Sequence, residues 1–496
     1  MSRPRAAAAP APAASARRAV AVAATTQTMV VLDTAVLAIA LPWMAGDLHI
    51  STGMLPWVMN AYALPFAGCL LLGGRISDLF GSVTALRTGL GLFAVASLGA
   101  GLAPSLDVLL LCRGLQGVGG ALLSPASLAL LTGATAAGTE RERAIGVWSI
   151  AASVGASASA LLGGVLTQTL GWRWVLLINV LIAPPLFLGS RGLGLPPAAQ
   201  APNLRRRSQL DVPGVLLFLL GFASLNLAAT ADGGAQQVTR SVPAGVVAVA
   251  GLTAFVLVER RVRHPLLPLR LLRNGHVAYT NGAAAALLAG TAATGYYSTL
   301  YAQEVSGLSP LATAALMLPA TVAGVVTARR IPRLVSRWGI RSCRTAGPVL
   351  TAVAQLGLAV CMKAEVPFAA LIPLQLVLAV GSSIAVITLT SAASRSLPPH
   401  QSGLAGGLIT ASGQSGSSIG LAALTGIAAA LTATAGATST AERASAVVDQ
   451  VALALPVGAA LAVVAAFLAR RIPLVPVTPV TSGQHSARPD DCDAAT

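Results

Sequence analysis

The chain holds one lysine, Lys363, and 16 acidic side chains among 496 residues, and charged residues of all kinds make up 10%. A soluble domain carries about 25% charge. With hydrophobic residues at 55% and a mean hydropathy of +0.76, the composition is that of a polytopic membrane protein. The single lysine also excludes a P-loop, whose Gly-Lys-Ser/Thr step holds nucleotide phosphates. The chain therefore does not draw on ATP, and its work must come from an ion gradient. The five cysteines (Cys69, Cys112, Cys343, Cys361, Cys492) form no C-x-x-C pair, so neither a disulfide framework nor a metal site is expected, and no cofactor is called for. Enzyme chemistry is equally thin. The five histidines (His49, His264, His276, His400, His485) fall in loops or in the tail. Gly416-Ser417-Ser418-Ile419-Gly420 satisfies G-x-S-x-G, but it lies in an apolar stretch with no strand before it and no Asp–His pair nearby.

What the chain has instead is arginine and long apolar runs. A net charge of +16 could suggest nucleic acid, but the placement of the charge points to a membrane. Apolar stretches of about the 20 residues that cross a bilayer recur at 20–41, 55–73, 88–104, 108–131, 145–167, 174–189, 213–231, 242–258, 277–299, 311–328, 346–362, 367–391, 404–430 and 450–469. The first is longer than a signal-peptide core and contains Asp33, which predicts a retained span. With the N-terminus inside, alternation of these fourteen places 27 of the 32 basic residues on the cytoplasmic side. Only Arg173, Arg240, Lys363 and Arg443 fall outside, and Arg113 falls within the membrane. Both termini are then cytoplasmic. Ala- and Arg-rich usage suits a GC-rich bacterial genome, so the expected location is the bacterial cytoplasmic membrane.

Three segments are loop-like or polar: 190–212 with the Arg205–Arg207 cluster, 259–276, and the tail after 471. The cluster could touch anionic lipid or serve only as a topology determinant. Gly74-Arg-Ile-Ser-Asp78-Leu-Phe-Gly81 after the second span is echoed by Arg333-Leu-Val-Ser336-Arg-Trp-Gly339 after the tenth, with Arg75 matching Arg333 and Ser336 replacing Asp78. The offset implies two six-span halves separated by two extra spans. The expected domains are a disordered basic arm (1–19), an N-terminal half (20–189), a loop with two linker spans (190–276), a C-terminal half (277–469) and a disordered tail (470–496).

Two ionisable groups sit deep in apolar runs. A guanidinium at bilayer depth costs at least ~2.5–3.5 kcal/mol and needs an acid or a wet cavity to face it. Arg113 is such a group, among glycines at 114, 117, 119 and 120 that let neighbouring helices approach. Low dielectric drives a carboxylate toward its neutral form and a nearby cation restores its charge, the balance a proton-exchanging site needs. Asp33 is the candidate for that role, or else a structural partner for Arg113. Arg113 could equally bind an anionic substrate group, tune Asp33 or bridge helices. Polar residues that could line a midplane pocket are Asn60, Tyr62, Gln116, Asn226, Asn281, Tyr296, Tyr297, Gln355 and Gln414. The same residues could instead hydrogen-bond between helices, each such bond worth about 0.6 kcal/mol. The tyrosines suit a bulky lipophilic compound. Glu304, near the outer end of the ninth span, belongs outside the cavity.

Several of these stretches resemble the fourteen-span drug:proton antiporter branch of the major facilitator superfamily. Leu32-Asp33-Thr34 through Leu41-Pro42 is similar to its first-span signature, with Ala38 where the pattern has Asn. Gly74 to Gly81 resembles the G-x-x-x-D-x-x-G loop, with Ser82 and Val83 in place of the usual basic residues and Arg87 beyond them. Arg113, Gln116, Gly117, Gly119 and Ala121 match the fourth-span R-x-x-Q-G-x-G-x-A. Trp172-Arg173-Trp174 with Asn179 resembles the segment entering the sixth span, and Gly403-Leu404-Ala405 to Gly420 the thirteenth. The fifth span departs: Ser159-Ala160-Leu161-Leu162-Gly163-Gly164 keeps the glycine pair and lacks the Gly-Pro of the antiporter motif. The resemblance implies an all-α major facilitator fold, two six-helix halves with two extra central spans, and alternating access. It implies proton-coupled efflux of a hydrophobic antibiotic-like molecule by a monomer, with Asp33 and Arg113 as the coupling pair and Gly74, Arg75, Asp78 and Gly81 at the inner gate. The missing Gly-Pro leaves another solute, or the other direction, as the alternative. A non-transporting sensor or an intramembrane hydrolase would explain neither the repeat nor the pairing of Asp33 with Arg113.

Overall fold

The computed structural model describes residues 13–48, 50, 54–136, 139–193, 212–229, 236–262, 274–395, 402–431 and 440–473. These residues are helical, with no β-strand among them. The helices are α1 (Ala13–Asp47), α2 (Leu55–Phe80), α3 (Ser82–Gly101), α4 (Leu106–Ala134), α5 (Thr139–Thr169), α6 (Arg173–Gly189), α7 (Val212–Ala229) and α8 (Gln236–Arg261). They continue as α9 (Gly275–Leu300), α10 (Pro310–Trp338), α11 (Ile340–Lys363), α12 (Ile372–Arg395), α13 (Ser402–Leu431) and α14 (Thr440–Arg471), with a π turn at Tyr301–Val305 and a 3-10 turn at Phe368–Leu371.

Each helix begins and ends near an expected apolar stretch, yet length and apolarity alone qualify fewer of them as spans. Eight pass among the described residues, or nine if Ala158–Thr169 and Arg173–Gly189, bent by 116°, count as one. α9 and α13 are rich in Gly, Ser and Thr, small residues that allow backbones to touch. A Cβ on Gly416 would lie 2.3 Å from the Ala285 carbonyl oxygen, so that crossing requires glycine.

The N-terminal segment differs from the disordered arm expected over 1–19, because α1 already starts at Ala13. Arg18 explains the extension: its guanidinium donates to the carbonyls of Gly189 (2.7 Å) and Arg191 (2.6 Å) at the open end of α6. Arg87 of α3 donates to the Ser190 carbonyl (2.9 Å) from the other side. The second half repeats the device, with Arg344 of α11 donating to the Ile472 carbonyl (2.7 Å) beyond α14. Terminal carbonyls without helical partners are thus satisfied by cations, which the helix dipole also favours.

The repeat seen in the sequence is also a repeat of backbone geometry. Gly81 joins α2 to α3 at φ 91°, ψ 143°, and Gly339 joins α10 to α11 at φ 80°, ψ 151°. Each N–H returns to the carbonyl four residues back, Ser77 and Val335. An L side chain rarely adopts this conformation, which accounts for glycine at both corners.

Packing distinguishes the two ends of the bundle. At the end marked by Asp47, one apolar cluster runs through both halves, from Val36, Leu41 and Val58 to Tyr297, Leu424 and Val451. Gly164 of α5 packs on Pro310 and Ala314 of α10, the Gln168 side chain accepts from Leu311 N–H (3.2 Å), and Gln303 donates to the Ile39 carbonyl (3.1 Å). Toward the arginine-rich end there are two clusters: one joins α1, α2, α3, α4 and α6 (Tyr62, Phe93, Leu130), with Ala411 of α13 packed against it, and the other joins α9, α11, α12, α13 and α14 (Leu287, Leu389, Ala462). The linker helices α7 and α8 cross where Gly251 meets Gly221, and Phe218 of α7 lies against Gly68 of α2.

Candidate functional site

Asp33 is fully buried halfway along α1, and Arg113, 1% exposed, reaches it from α4. Arg113 Nη1 donates to Asp33 Oδ2 at 2.7 Å and to Gln116 Oε1 at 2.9 Å. Its Nε donates to the Val58 carbonyl of α2 at 3.3 Å, and the guanidinium lies over the Tyr62 ring, 4.6 Å from the centroid. Gln116 Nε2 passes the chain on to Ser97 Oγ of α3 at 2.6 Å. The other carboxylate oxygen, Oδ1, accepts from Asn179 Nδ2 of α6 at 2.6 Å. Five helices therefore converge on one ion pair.

Local sequence explains why the pair can form there. α4 carries glycine at 117 and 120 on the side that meets α2, where a Cβ would lie 2.3 Å from the Tyr62 carbonyl oxygen and 2.6 Å from its hydroxyl. Only glycine lets Tyr62 come near enough to stack on Arg113. Tyr62 in turn packs on Phe66 and edge-on to Phe93, which fixes its ring. A buried ion pair is tolerable when its remaining lone pairs and protons are satisfied, as both oxygens of Asp33 are here. The tyrosine hydroxyl and Asn179 Oδ1 have no hydrogen-bond partner among the described residues. Protonation of Asp33 would remove the counter-charge of Arg113 while leaving it Gln116, the Val58 carbonyl and the Tyr62 ring as partners.

Of the sequence candidates, this cluster unites Asp33, Arg113, Gln116 and Tyr62. Asn60 is buried two residues before Tyr62 on α2. The others are dispersed. Asn281 donates to the Val277 carbonyl of its own helix (2.8 Å). Gln355 donates to Thr294 Oγ1 (2.8 Å), tying α11 to α9. Tyr296 and Tyr297 pack edge to face within the apolar cluster at the Asp47 end. Gln414 lines a cavity of 190 Å³ walled by α9, α12 and α13, otherwise apolar except for Thr390 and Thr410. The side chain of Asn226 and that of Asp78 lie outside the described residues, as do Arg205–Arg207, residues 1–12 and the tail from 474. Gly74 and Arg75 sit half-buried on the last turns of α2, and Gly81 forms its corner. Glu304 falls in the π turn that follows α9, at the Asp47 end.

Sequence reasoning did not select Asn179, Ser97 or the Val58 carbonyl as parts of this cluster. The Trp172-Arg173-Trp174…Asn179 pattern was the available signal for the first. Its aromatic end serves another contact: Trp172 Nε1 donates to Asp47 Oδ2 at 3.0 Å, and Arg173 pairs with the same oxygen. That pair is exposed, and such pairs contribute little.

An all-helical bundle with a sealed ion pair and paired half-repeats defines a multi-pass membrane transporter and not an enzyme. The chain belongs to the Major Facilitator Superfamily, whose family model matches residues 23–421. It is 35% identical to the puromycin resistance protein pur8 of Streptomyces alboniger, over 80% of this chain and 79% of that protein. It is also 35% identical to the cephamycin export protein CmcT of Amycolatopsis lactamdurans, over 80% and 82%. Among solved structures it resembles an auto-inhibited POT family peptide transporter (TM-score 0.67, 18% identity, 93% of this chain and 98% of that one). A D-xylose-proton symporter gives a TM-score of 0.60 at 14% identity, covering 91% and 97%. These two likenesses concern the fold.

Proposed function

We propose that this chain exports a hydrophobic, antibiotic-like small molecule across the bacterial cytoplasmic membrane in exchange for protons. The names of its relatives support the substrate class. The observation that carries the coupling is the buried Asp33–Arg113 pair, 2.7 Å apart and held from five helices. In this reading all fourteen α-helices cross the membrane, with both termini in the cytoplasm, and a single chain is sufficient. The Asp47 end is then external, and the one apolar cluster that runs through both halves there suits an inward-facing form.

A proton on Asp33 neutralises the carboxylate and frees Arg113 to lean on Gln116 and the Val58 carbonyl, loosening α1 from α4. The resulting shift in helix packing tips the halves toward the outward-facing form, since a ligand moves an equilibrium by its differential affinity for the two states. The recess beside Gln414 takes part of the substrate, and the Gly74–Gly81 corner with Arg75 and Asp78 closes the inner side. The test uses everted vesicles carrying wild type or Asp33→Asn. Wild type releases protons when a transported antibiotic is added, and the variant, present at equal level in the membrane, does not. Retained proton release in Asp33→Asn would sink the proposal.

A further inference from the structure

The arginine-rich end of α10 bears a feature that the transport cycle leaves unused. Arg330, Arg333, Leu334, Arg337 and Trp338 line an open groove of 250 Å³. From 329 to 344 the chain has six arginines and no acid (Arg329, Arg330, Arg333, Arg337, Arg341, Arg344). Arg330, Arg333 and Arg337 are exposed, and among the described residues none of them has an ion-pair partner.

The three guanidiniums lie on one stripe. A helix turns about 100° per residue, so Val322, Val326, Arg330, Arg333 and Arg337 fall within about 80° of one another. Val322 and Val326 are exposed, 50% and 41%, and extend the stripe along the membrane-spanning part of α10. Gly324 packs on Ser383 of α12 from the opposite side. Trp338, 58% exposed, lies beside the stripe and lines the same groove. The corner itself does not require two of these arginines. In α2, which makes the same glycine turn, the positions equivalent to Arg330 and Arg337 are Leu72 and Leu79, while Arg333 matches Arg75 and Ser336 stands where α2 has Asp78.

We infer that this stripe binds an anionic phospholipid, with the phosphodiester between the three guanidiniums and an acyl chain along Val326 and Val322. Arginine forks match phosphate oxygens, and indole rings settle at the headgroup level. A stripe that is apolar at membrane depth and cationic at its edge has the sequence of polarity of a lipid molecule. Each arginine near an anionic surface is worth about 1 kcal/mol, or roughly fivefold in affinity.

Full-length protein, purified from a membrane containing phosphatidylglycerol and phosphatidylcholine, is assayed for retained lipid by native mass spectrometry. Wild type is expected to retain phosphatidylglycerol over phosphatidylcholine. Arg330→Gln/Arg333→Gln/Arg337→Gln loses most of that preference. Arg260→Gln/Arg261→Gln/Arg470→Gln, matched in charge at the same end, keeps it. Excess inorganic phosphate leaves the bound lipid in place. Three outcomes overturn the inference: no preference in wild type, equal loss in the charge-matched control, or displacement by phosphate, which would make this a site for free anions. Glu140, exposed at the start of α5, is the competing occupant, since α5 and α10 run antiparallel from their contact at Gly164. If Glu140 holds these arginines instead, wild type shows no preference for phosphatidylglycerol, the first of those outcomes. If the triple variant does not accumulate, the wild-type preference in lipid nanodiscs decides the matter.

Discussion

Asn179 and Arg113 divide the Asp33 carboxylate between them, the amide donating to Oδ1 at 2.6 Å and the guanidinium to Oδ2 at 2.7 Å. The two come from helices α6 and α4, so the position of Asp33 depends on three helices staying in register. Asn179→Ala leaves a buried oxygen unsatisfied, a cost of about 1–3 kcal/mol. Proton-driven transport should fall about tenfold while the protein still reaches the membrane. Flux in everted vesicles, normalised to protein level, checks this.

Removing only one partner of the pair should destabilise more than removing both. Arg113→Gln strands a buried carboxylate, costing about 3–5 kcal/mol. Asp33→Asn/Arg113→Gln should recover most of that loss while remaining inactive. Thermal unfolding in detergent, followed on both variants, measures the difference. Equal melting of single and double variants would show that the pair is not coupled in stability.

Two glycines on α4 should respond oppositely to alanine. A Cβ at Gly117 would lie 2.3 Å from a backbone oxygen of α2, whereas one at Gly114 would make an ordinary contact at 3.7 Å with Ala61. Gly117→Ala is expected to destabilise by about 1–3 kcal/mol and to lose transport, as overpacking does. Gly114→Ala should be tolerated. Antibiotic tolerance of a sensitive host expressing each variant separates the two.

Gln168 and Gln303 join the halves at the Asp47 end by single hydrogen bonds. Each bond contributes about 0.5–1.5 kcal/mol. Gln168→Ala/Gln303→Ala should therefore shift the bundle away from the form closed at that end. A cysteine replacing Thr410, beside the Gln414 cavity, should then react more slowly with an impermeant maleimide applied from the arginine-rich side. An unchanged rate would mean that the apolar cluster alone sets the balance.

Helix positions were readable from the chain because hydropathy is a local property. An apolar run near bilayer length must satisfy its own backbone, and it does so as a helix. Asp33 and Arg113 stood out for the same local reason, as charges in stretches that exclude charge. Asn179 was marked by the Trp172-Arg173-Trp174 pattern but not as a partner of Asp33, because an amide in an apolar run is ordinary and that partner lies 146 residues away. Asn281 and Gln355 show the converse: their polarity suggested a pocket, but their amides are taken up by a carbonyl of the same helix and by Thr294.

The sequence by itself determined a helical membrane protein with no nucleotide site, a repeat about two glycine corners, and two costly charges in its N-terminal half. Those follow from composition, period and the conformations glycine alone permits. Tertiary structure decided that the charges meet, Asp33 from α1 and Arg113 from α4, and that the α4 glycines admit Tyr62 of α2 beside them. It also decided that the halves share one apolar cluster at the Asp47 end. Which small residues face which helix depends on how helices distant in sequence pack, and no local pattern records it.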